Sequence, residues 1–391
     1  METQGLSEPL TWAEIDLAAY RHNIAELRCI AHREARLMAV VKADGYGHGA
    51  CEVAKVALGS GADCLGVARL HEAVELREEG VEALILIFGF TPPEEIDTLL
   101  GFDLVQAVFT PDAAAALATA ATSRGGRARV HIKVDTGMGR LGLLAGEPRS
   151  EEATGSAANH RFNEVRSVAG LPGLEVEGLF THFATADHAD KTYANRQLQR
   201  FDELLDRLRQ QGVEFPLNHA ANSAALIDMP DSHLDMVRPG IATYGLYPSA
   251  EMDHDRASLK PVMEWKTRII QLKQVPAGFG VSYGITYETP RPTTLATVAV
   301  GYADGLSRGL SNRGQMLVGG RKVPIIGRIC MDLTLLDVGE VPGVAEGNEV
   351  VILGRQGDEV LSADEMAATL GTINYEIVST ISSRVPRIYL R

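Results

Sequence analysis

Between Leu37 and Tyr247 the chain repeatedly changes its hydrophobic period. Short β-branched runs give way to longer stretches with apolar residues three and four apart and charges between them. The runs with strand character are Leu37 to Val41, Cys64 to Ala68, Leu84 to Phe88, Leu104 to Val108, Ala128 to Val134, Leu174 to Phe180, Phe215 to Asn218 and Leu234 to Val237. Stretches such as Glu52 to Leu58, His71 to Glu79, Ala113 to Thr122 and Gln197 to Gln210 have helical period. Eight strands each followed by a helix is the count of an α/β protein with a (β/α)8 TIM-type barrel. In such a barrel, chemistry sits on residues at the carboxyl ends of the strands. The segment Gly146 to Asn163 is polar, rich in small residues and aperiodic, and is expected to be an exposed loop opening into the fifth helix.

After about Ser249 the pattern changes to short alternating runs separated by Gly and Pro: Pro261 to Val275, Ala296 to Val300, Gln315 to Val318, Lys322 to Ile326, Leu333 to Val338 and Glu349 to Leu353. With 391 residues the chain exceeds the ~250 to 300 at which single cores stop growing. We therefore expect a barrel over residues 1–248 and a mostly β domain over 249–391, with the early strand Leu10 to Ile15 able to join the second sheet.

Charge and composition narrow the partners. Acidic side chains number 51 against 37 basic, a formal charge of -14 that repels nucleic acid and anionic membrane surfaces. No apolar run approaches the ~18 residues of a membrane helix. The start METQGLSEPL has neither a basic nor an apolar leader region, so a cytoplasmic location is expected. Cys29, Cys51, Cys64 and Cys330 have no metal or redox spacing and read as reduced thiols, with no metal expected.

Lys42 ends the first barrel strand. Flanked by apolar residues, an amine there loses hydration and becomes nucleophilic, although a solvated loop lysine is the plainer alternative. Gly45, Gly47 and Gly49 allow a close backbone approach or make an ordinary turn. Behind the eighth strand, Pro239 and Gly240 precede amides at Gly240 and Ile241 that suit a phosphate. In the seventh loop Asn222 or Ser223 can cap a helix, donate to the same phosphate, or do both. A lysine opposite a phosphate site suggests pyridoxal phosphate, whose aldehyde takes an amine.

The motifs VVKADGYGHG (Val40 to Gly49), HIKVDTGMGRLG (His131 to Gly142), GLFTHFATAD (Gly178 to Asp187), HAANSAA (His219 to Ala225), VRPGIATYGLYP (Val237 to Pro248), GVSYGITY (Gly280 to Tyr287), VGYADG (Val300 to Gly305), GRICMD (Gly327 to Asp332) and TINYEI (Thr372 to Ile377) closely resemble those of the alanine racemase family. They occur in family order over almost the whole chain. The resemblance implies a pyridoxal 5'-phosphate enzyme that interconverts L- and D-alanine for peptidoglycan precursors, as a head-to-tail homodimer with shared active sites.

Residue by residue, it implies that Lys42 binds the cofactor aldehyde and acts as one of two bases. Tyr283, reaching in from the other subunit, is the second. Tyr46, Ser223, Gly240, Ile241 and Tyr375 resemble the phosphate-binding set, with Asn222 beside them. Arg238 resembles the partner of the pyridine nitrogen, where an arginine keeps its proton and leaves that nitrogen unprotonated. His182 resembles the bridge from Arg238 to the catalytic tyrosine, with His219 in a supporting role. Arg140 resembles the residue that contacts the cofactor's phenolic oxygen and the substrate carboxylate. Lys133 resembles a carbamate-bearing lysine (N6-carboxylysine), whose anion holds Arg140, against the plainer reading of a strand lysine paired with Asp135. Met331 and Tyr302 resemble substrate-binding residues of the partner subunit, and Arg308, Arg328, Ile373 and Asp187 match positions lining the access corridor. For Tyr283 alone, a buried core tyrosine is the usual alternative.

Three other readings compete. A decarboxylase on a similar barrel expects a glycine triplet at the phosphate and an acid at the ring nitrogen, where this chain has VRPG. A non-catalytic cofactor carrier needs no Tyr283, Tyr302 or Met331. A racemase of broader range differs only in pocket volume.

Overall fold

The computed structural model describes residues 9–145 and 155–391. These divide into two compact units: one takes the described residues up to Ala18, Tyr46–Gly49 and Pro261–Arg391, the other Ala19–Gly45 and Ala50–Lys260.

The second unit is the expected barrel. Its parallel strands run in the order Met236–Val237, Arg36–Val40, Cys64–Val67, Leu84–Ile87, Val105–Val108, Ala128–Asp135, Leu174–Phe180, Leu217–His219. Their residues are almost continuously buried, as a parallel sheet covered by helices requires. Met38, Cys64, Leu86, Val105 and Met236 from five strands pack together inside. The seam between Leu217–His219 and Met236–Val237 is closed by single main-chain bonds, Asp235 N to Asn218 O (3.0 Å) and Arg238 N to Ala221 O (3.0 Å). The Asp235 carboxylate stitches it further by accepting from Asn218 N (2.8 Å) and Nδ2 (3.0 Å). A single 3-10 turn, Ile241–Tyr244, rather than an α-helix, follows the eighth strand. Of the aperiodic segment, residues 146–154 lie outside the described ones. The chain is helical from Gly155, so Gly155–Ala169 opens earlier than the loop reading put it.

The helix Thr192–Gln210 shows how sequence period becomes a site. Its buried positions Ala194, Gln197, Leu198, Phe201, Leu204, Leu205 and Leu208 form one stripe, and Gln197 is polar among them. Gln197 Oε1 accepts from Ala184 N (2.8 Å), while Nε2 donates to His182 O (3.0 Å) and Thr136 Oγ1 (3.4 Å). One helix therefore fixes the loop that carries His182.

In the other unit the strand Met263–Val275 is the hub of a nine-stranded sheet. Its first half pairs antiparallel with Thr11–Asp16 and with Glu349–Gln356, its second half with Thr293–Val298. The early strand thus joins the second sheet, and it also takes Arg387–Leu390 as a parallel neighbour. Alternation in Met263–Val275 puts Met263, Trp265 and Thr267 inward and Glu264 and Lys266 outward.

Phe201→Ala should cost about 3–5 kcal/mol by removing a buried aromatic. Gln197→Leu should cost about 1–3 kcal/mol by leaving the Ala184 and His182 backbone groups unpaired. Urea unfolding of the two variants beside the native chain measures both, and a native-like midpoint for Gln197→Leu would show that the polar tie contributes nothing.

Candidate active site

Lys42 lies just beyond the strand Arg36–Val40, which Val41 prolongs by donating to Gly66 O (2.9 Å). The residues after it turn left-handed: Ala43 (φ 52), Asp44 (φ 53), Gly45 (φ 60) and Tyr46 (φ 54). Glycine is required at 45, because a Cβ there would come within 2.9 Å of Val53 Cγ2. Burial holds the Lys42 amine below the usual lysine range, Arg140 pushes the same way, and Glu72 opposes them.

Lys133 lies in the strand Ala128–Asp135, buried, with Nζ 5.7 Å from the Phe180 ring centroid. Burial first, then Arg140, Arg238 and Lys42, lower its pKa to about 8 against the attraction of Asp135. The Asp135 carboxylate is occupied elsewhere. Oδ1 accepts from Gly137 N (2.8 Å), Met138 N (2.8 Å) and Gly139 N (3.2 Å), and Oδ2 from Gly139 N (2.9 Å), shaping the loop that delivers Arg140. Arg140 itself is exposed.

Arg238 is buried and donates from Nη2 to Thr181 O (2.8 Å) and Ala220 O (3.1 Å). The same nitrogen lies 3.3 Å from His182 Nδ1, and Nη1 lies 2.8 Å from His219 Nδ1. Burial pulls its pKa to about 9, which leaves it cationic at neutral pH. His219 Nε2 contacts His131 Nδ1 at 2.8 Å. A guanidinium only donates, so His219 accepts at Nδ1. As a neutral ring it then carries its proton on Nε2 and donates to His131. Burial and Arg238 hold His182 and His219 well below the usual histidine range, and His131 is pushed down to about 3. Phe180 underlies the group, stacked on the His219 ring (4.8 Å, 2°) with the Arg238 guanidinium over its face at 5.4 Å. Gly178 makes room for this stack, since a Cβ there would meet His131 Nδ1 at 2.6 Å.

At the seam, Asn222 caps the helix Ser223–Asp228, its Oδ1 accepting from Ala225 N (3.0 Å). Ser223 Oγ accepts from Gly240 N (2.9 Å) and Ala242 N (3.3 Å). The Gly240 amide is therefore not free, as the sequence suggested, because the serine hydroxyl stands between the two loops. Ser223 keeps its own hydroxyl hydrogen for an outside acceptor, and the Ile241 amide makes no hydrogen bond among the described residues. The Lys42 amine, three further cations (Lys133, Arg140 and Arg238) and these donors suit a phosphorylated aldehyde such as pyridoxal phosphate. No group of residues able to hold a metal ion occurs among the described residues.

Of the remaining candidates, Asp187 belongs to the barrel unit and the others to the β unit. Tyr46 and Tyr375 are neighbours there, with ring centroids 6.2 Å apart. The glycines after Tyr46 serve close approach: a Cβ on Gly47 would meet Val378 O at 2.2 Å and one on Gly49 Tyr389 Oη at 1.9 Å. Tyr283 is 71% exposed rather than a core residue, because it stands on a tight turn, Tyr283–Ile285, between Ser282 (φ 62) and Gly284 (φ 74). Ser282 Oγ donates to Arg328 O (2.6 Å), and Tyr302 N and Ala303 N donate to Cys330 O (3.1 Å) and Met331 O (3.0 Å). The segments bearing Tyr283, Tyr302 and Met331 are thereby tied together, and Tyr302 and Met331 are also exposed. Sequence reasoning missed Gln197 and Glu72; a polar residue in an apolar helical stripe was the available signal for the first.

Residues 15–248 match the family described as alanine racemase, N-terminal domain, and residues 262–389 the one described as alanine racemase, C-terminal domain. The alanine racemase of Desulfosudis oleivorans is 56% identical over 381 residues, 97% of this chain and 96% of its own length. That of Desulforamulus reducens is 48% identical over 98% of this chain and 100% of its own. Among solved structures, the alanine racemase of Clostridium difficile 630 superposes with a TM-score of 0.90 at 37% identity, covering 98% of this chain and 97% of its own. That of Bacillus anthracis, solved with bound L-Ala-P, gives 0.90 at 38% identity over 99% and 96%. With both family domains matched in order and relatives similar over nearly their whole length, this chain belongs to the alanine racemase family of isomerases.

Proposed function

We propose that the chain interconverts L- and D-alanine with pyridoxal 5'-phosphate by a two-base mechanism, supplying D-alanine for peptidoglycan in the cytoplasm. Within residues 1–248, the part belonging to the barrel unit acts as the main cofactor-binding domain, and residues 249–391 contribute to the active site of a second copy. The observation that carries this reading is the set of cations at the barrel mouth, Lys42, Lys133, Arg140 and Arg238, which outnumber the two carboxylates acting on them, Glu72 and Asp135, whose oxygens are taken by backbone amides. Such a site binds an anion.

When bound, the cofactor supplies an electron sink that acidifies the α-hydrogen of an attached amino acid. Lys42, with its amine held below the ordinary lysine range, binds the aldehyde and then exchanges a proton on one face. Arg238 meets the ring nitrogen as a donor and, keeping its own proton, leaves that nitrogen unprotonated. Ser223 and Ile241 donate to the phosphate, with Asn222 and Gly240 shaping the loops and Tyr46 and Tyr375 completing the set. Arg140 and the partner's Met331 amide and Tyr302 hold the substrate carboxylate and pocket wall. Tyr283 from the second copy exchanges the proton on the opposite face, with His182 linking it to Arg238 and His219 supporting the guanidinium. The exposed Tyr283, Ile285, Tyr302, Met331 and Ile373 support docking of a second copy on this unit.

Borohydride treatment of the protein loaded with pyridoxal phosphate should fix the cofactor to Lys42, as peptide mass mapping reads, and a label on another lysine removes the assignment. For Lys133, a pKa of about 8 leaves about half of the amines neutral at pH 8, so the group can react with carbon dioxide. Labelled bicarbonate should appear on Lys133 in the native protein. Lys133→Ala should slow turnover, with partial restoration by an added carboxylic acid that holds Arg140 in its place. An unlabelled Lys133 favours the plain strand lysine.

The shared site is tested with two inactive parents, Lys42→Ala and Tyr283→Phe. Reassociating an equal mixture should make about half of the dimers hybrid, each with one intact site, so D-alanine formation read by chiral chromatography should climb to roughly a quarter of native. Hybrids verified by native mass measurement that stay at parental activity would place both residues in one chain.

A further inference from the structure

We propose that Glu72 is a positioning residue for Lys42: its carboxylate ties the left-handed turn carrying the amine to the neighbouring loop of the barrel. The inference rests on Lys42 being the cofactor lysine.

Left-handed backbone is costly for residues with a Cβ, and here Ala43, Asp44 and Tyr46 all adopt it in succession around Gly45. Such a turn persists only where its surroundings hold it. Two of its ties are local, Gly45 N to Val41 O (2.8 Å) and Ala50 N to Asp44 Oδ1 (2.8 Å). The third comes from the next strand–helix unit, where Ala43 N donates to Glu72 Oε1 at 2.6 Å. Glu72 Oε2 meanwhile accepts from Ala68 N (2.7 Å) and Arg69 N (2.9 Å) at the start of the helix Leu70–Glu78.

A glutamate in the first turn of a helix commonly reaches back to the capping residue's amide, which accounts for Oε2. It does not account for Oε1, aimed at a different loop. One carboxylate thus gathers three backbone amides from two loops at the barrel mouth, in charge-assisted bonds. Its charge also bears on the amine. The ionic groups acting on Lys42 are Arg140 and Lys133, which disfavour its protonation, and Glu72, which favours it; His182 is held neutral beside them.

The test uses the full chain as native protein, Glu72→Gln, Glu72→Ala and Glu72→Ala with Ala43→Gly. A glutamine has one oxygen and no charge, so it cannot serve both loops. Deuterium exchange before cofactor addition should speed by about tenfold or more at residues 41–46 in Glu72→Gln and stay native at 84–108. Capture of pyridoxal phosphate at Lys42, trapped with borohydride across pH, should have its midpoint at lower pH in both Glu72 variants, because the charge favouring the ammonium form is gone. The slowed plateau of Glu72→Ala should recover with Ala43→Gly, since glycine takes the left-handed turn without steric cost, while the midpoint stays low. Equal loosening of 41–46 and 84–108, a native midpoint, or a plateau that Ala43→Gly leaves unrestored overturns the role of Glu72. A native label on a lysine other than Lys42 overturns the cofactor reading instead.

Discussion

The barrel mouth is organised by positive charge whose neighbouring carboxylates are committed to backbone amides. Lys42, Lys133, Arg140 and Arg238 act on one another, and the two acids that act on them, Asp135 and Glu72, have their oxygens committed to loop amides. Burying Lys133 and Arg238 in this way is expensive unless their hydrogens find acceptors. The fold meets the demand at Arg238 with two carbonyls and two histidines that burial, aided by the same charge, keeps neutral. The polarity of the chain is then fixed, Arg238 donating to His219 and His219 to His131, which explains why histidines rather than acids surround the guanidinium. An acid there would neutralise the charge that makes the mouth attractive to an anion.

The barrel was legible because its signal is burial. All eight expected runs are strands, and Leu174–Phe180 coincides residue for residue. Elsewhere the ends move by a single residue, and the larger shifts are at the seam, where Leu217–His219 and Met236–Val237 are shorter than or offset from their apolar runs. There Leu234 turns left-handed (φ 47) and the Asp235 side chain takes over hydrogen bonding that a ladder would provide. Apolar pattern reports what is inside, and it does not report which backbone groups a side chain satisfies. The same blindness hid Arg387–Leu390, a half-exposed strand with only three apolar residues, and the small hairpin of Gly280–Val281 with Tyr287–Glu288.

At the site, motif resemblance picked out residues that the folded chain does bring together in one unit: His182 and His219 on Arg238, and Lys42, Lys133 and Arg140 within electrostatic reach. Supporting residues were harder to see. Glu72 reads as an ordinary first-turn glutamate, and only the position of Ala43 reveals its second partner. Gly240 looked like a free donor because nothing in the local sequence shows that Ser223, seventeen residues earlier, reaches it.

The hub strand Met263–Val275 has a consequence for how the chain is made. Thr11–Asp16 leaves the ribosome early, yet its antiparallel neighbour follows only after the whole barrel has been synthesised, and its parallel neighbour Arg387–Leu390 lies at the far end of the sequence. At about 5–20 residues per second the early strand waits on the order of tens of seconds with unpaired edges. The barrel, whose strands pair with near neighbours in sequence except at its seam, can form during that interval. The chain therefore has a built-in order of assembly: barrel first, and last a sheet whose edge strand is translated after every other strand in it. Until then the early strand is free to pair wrongly with its counterpart on an adjacent nascent chain.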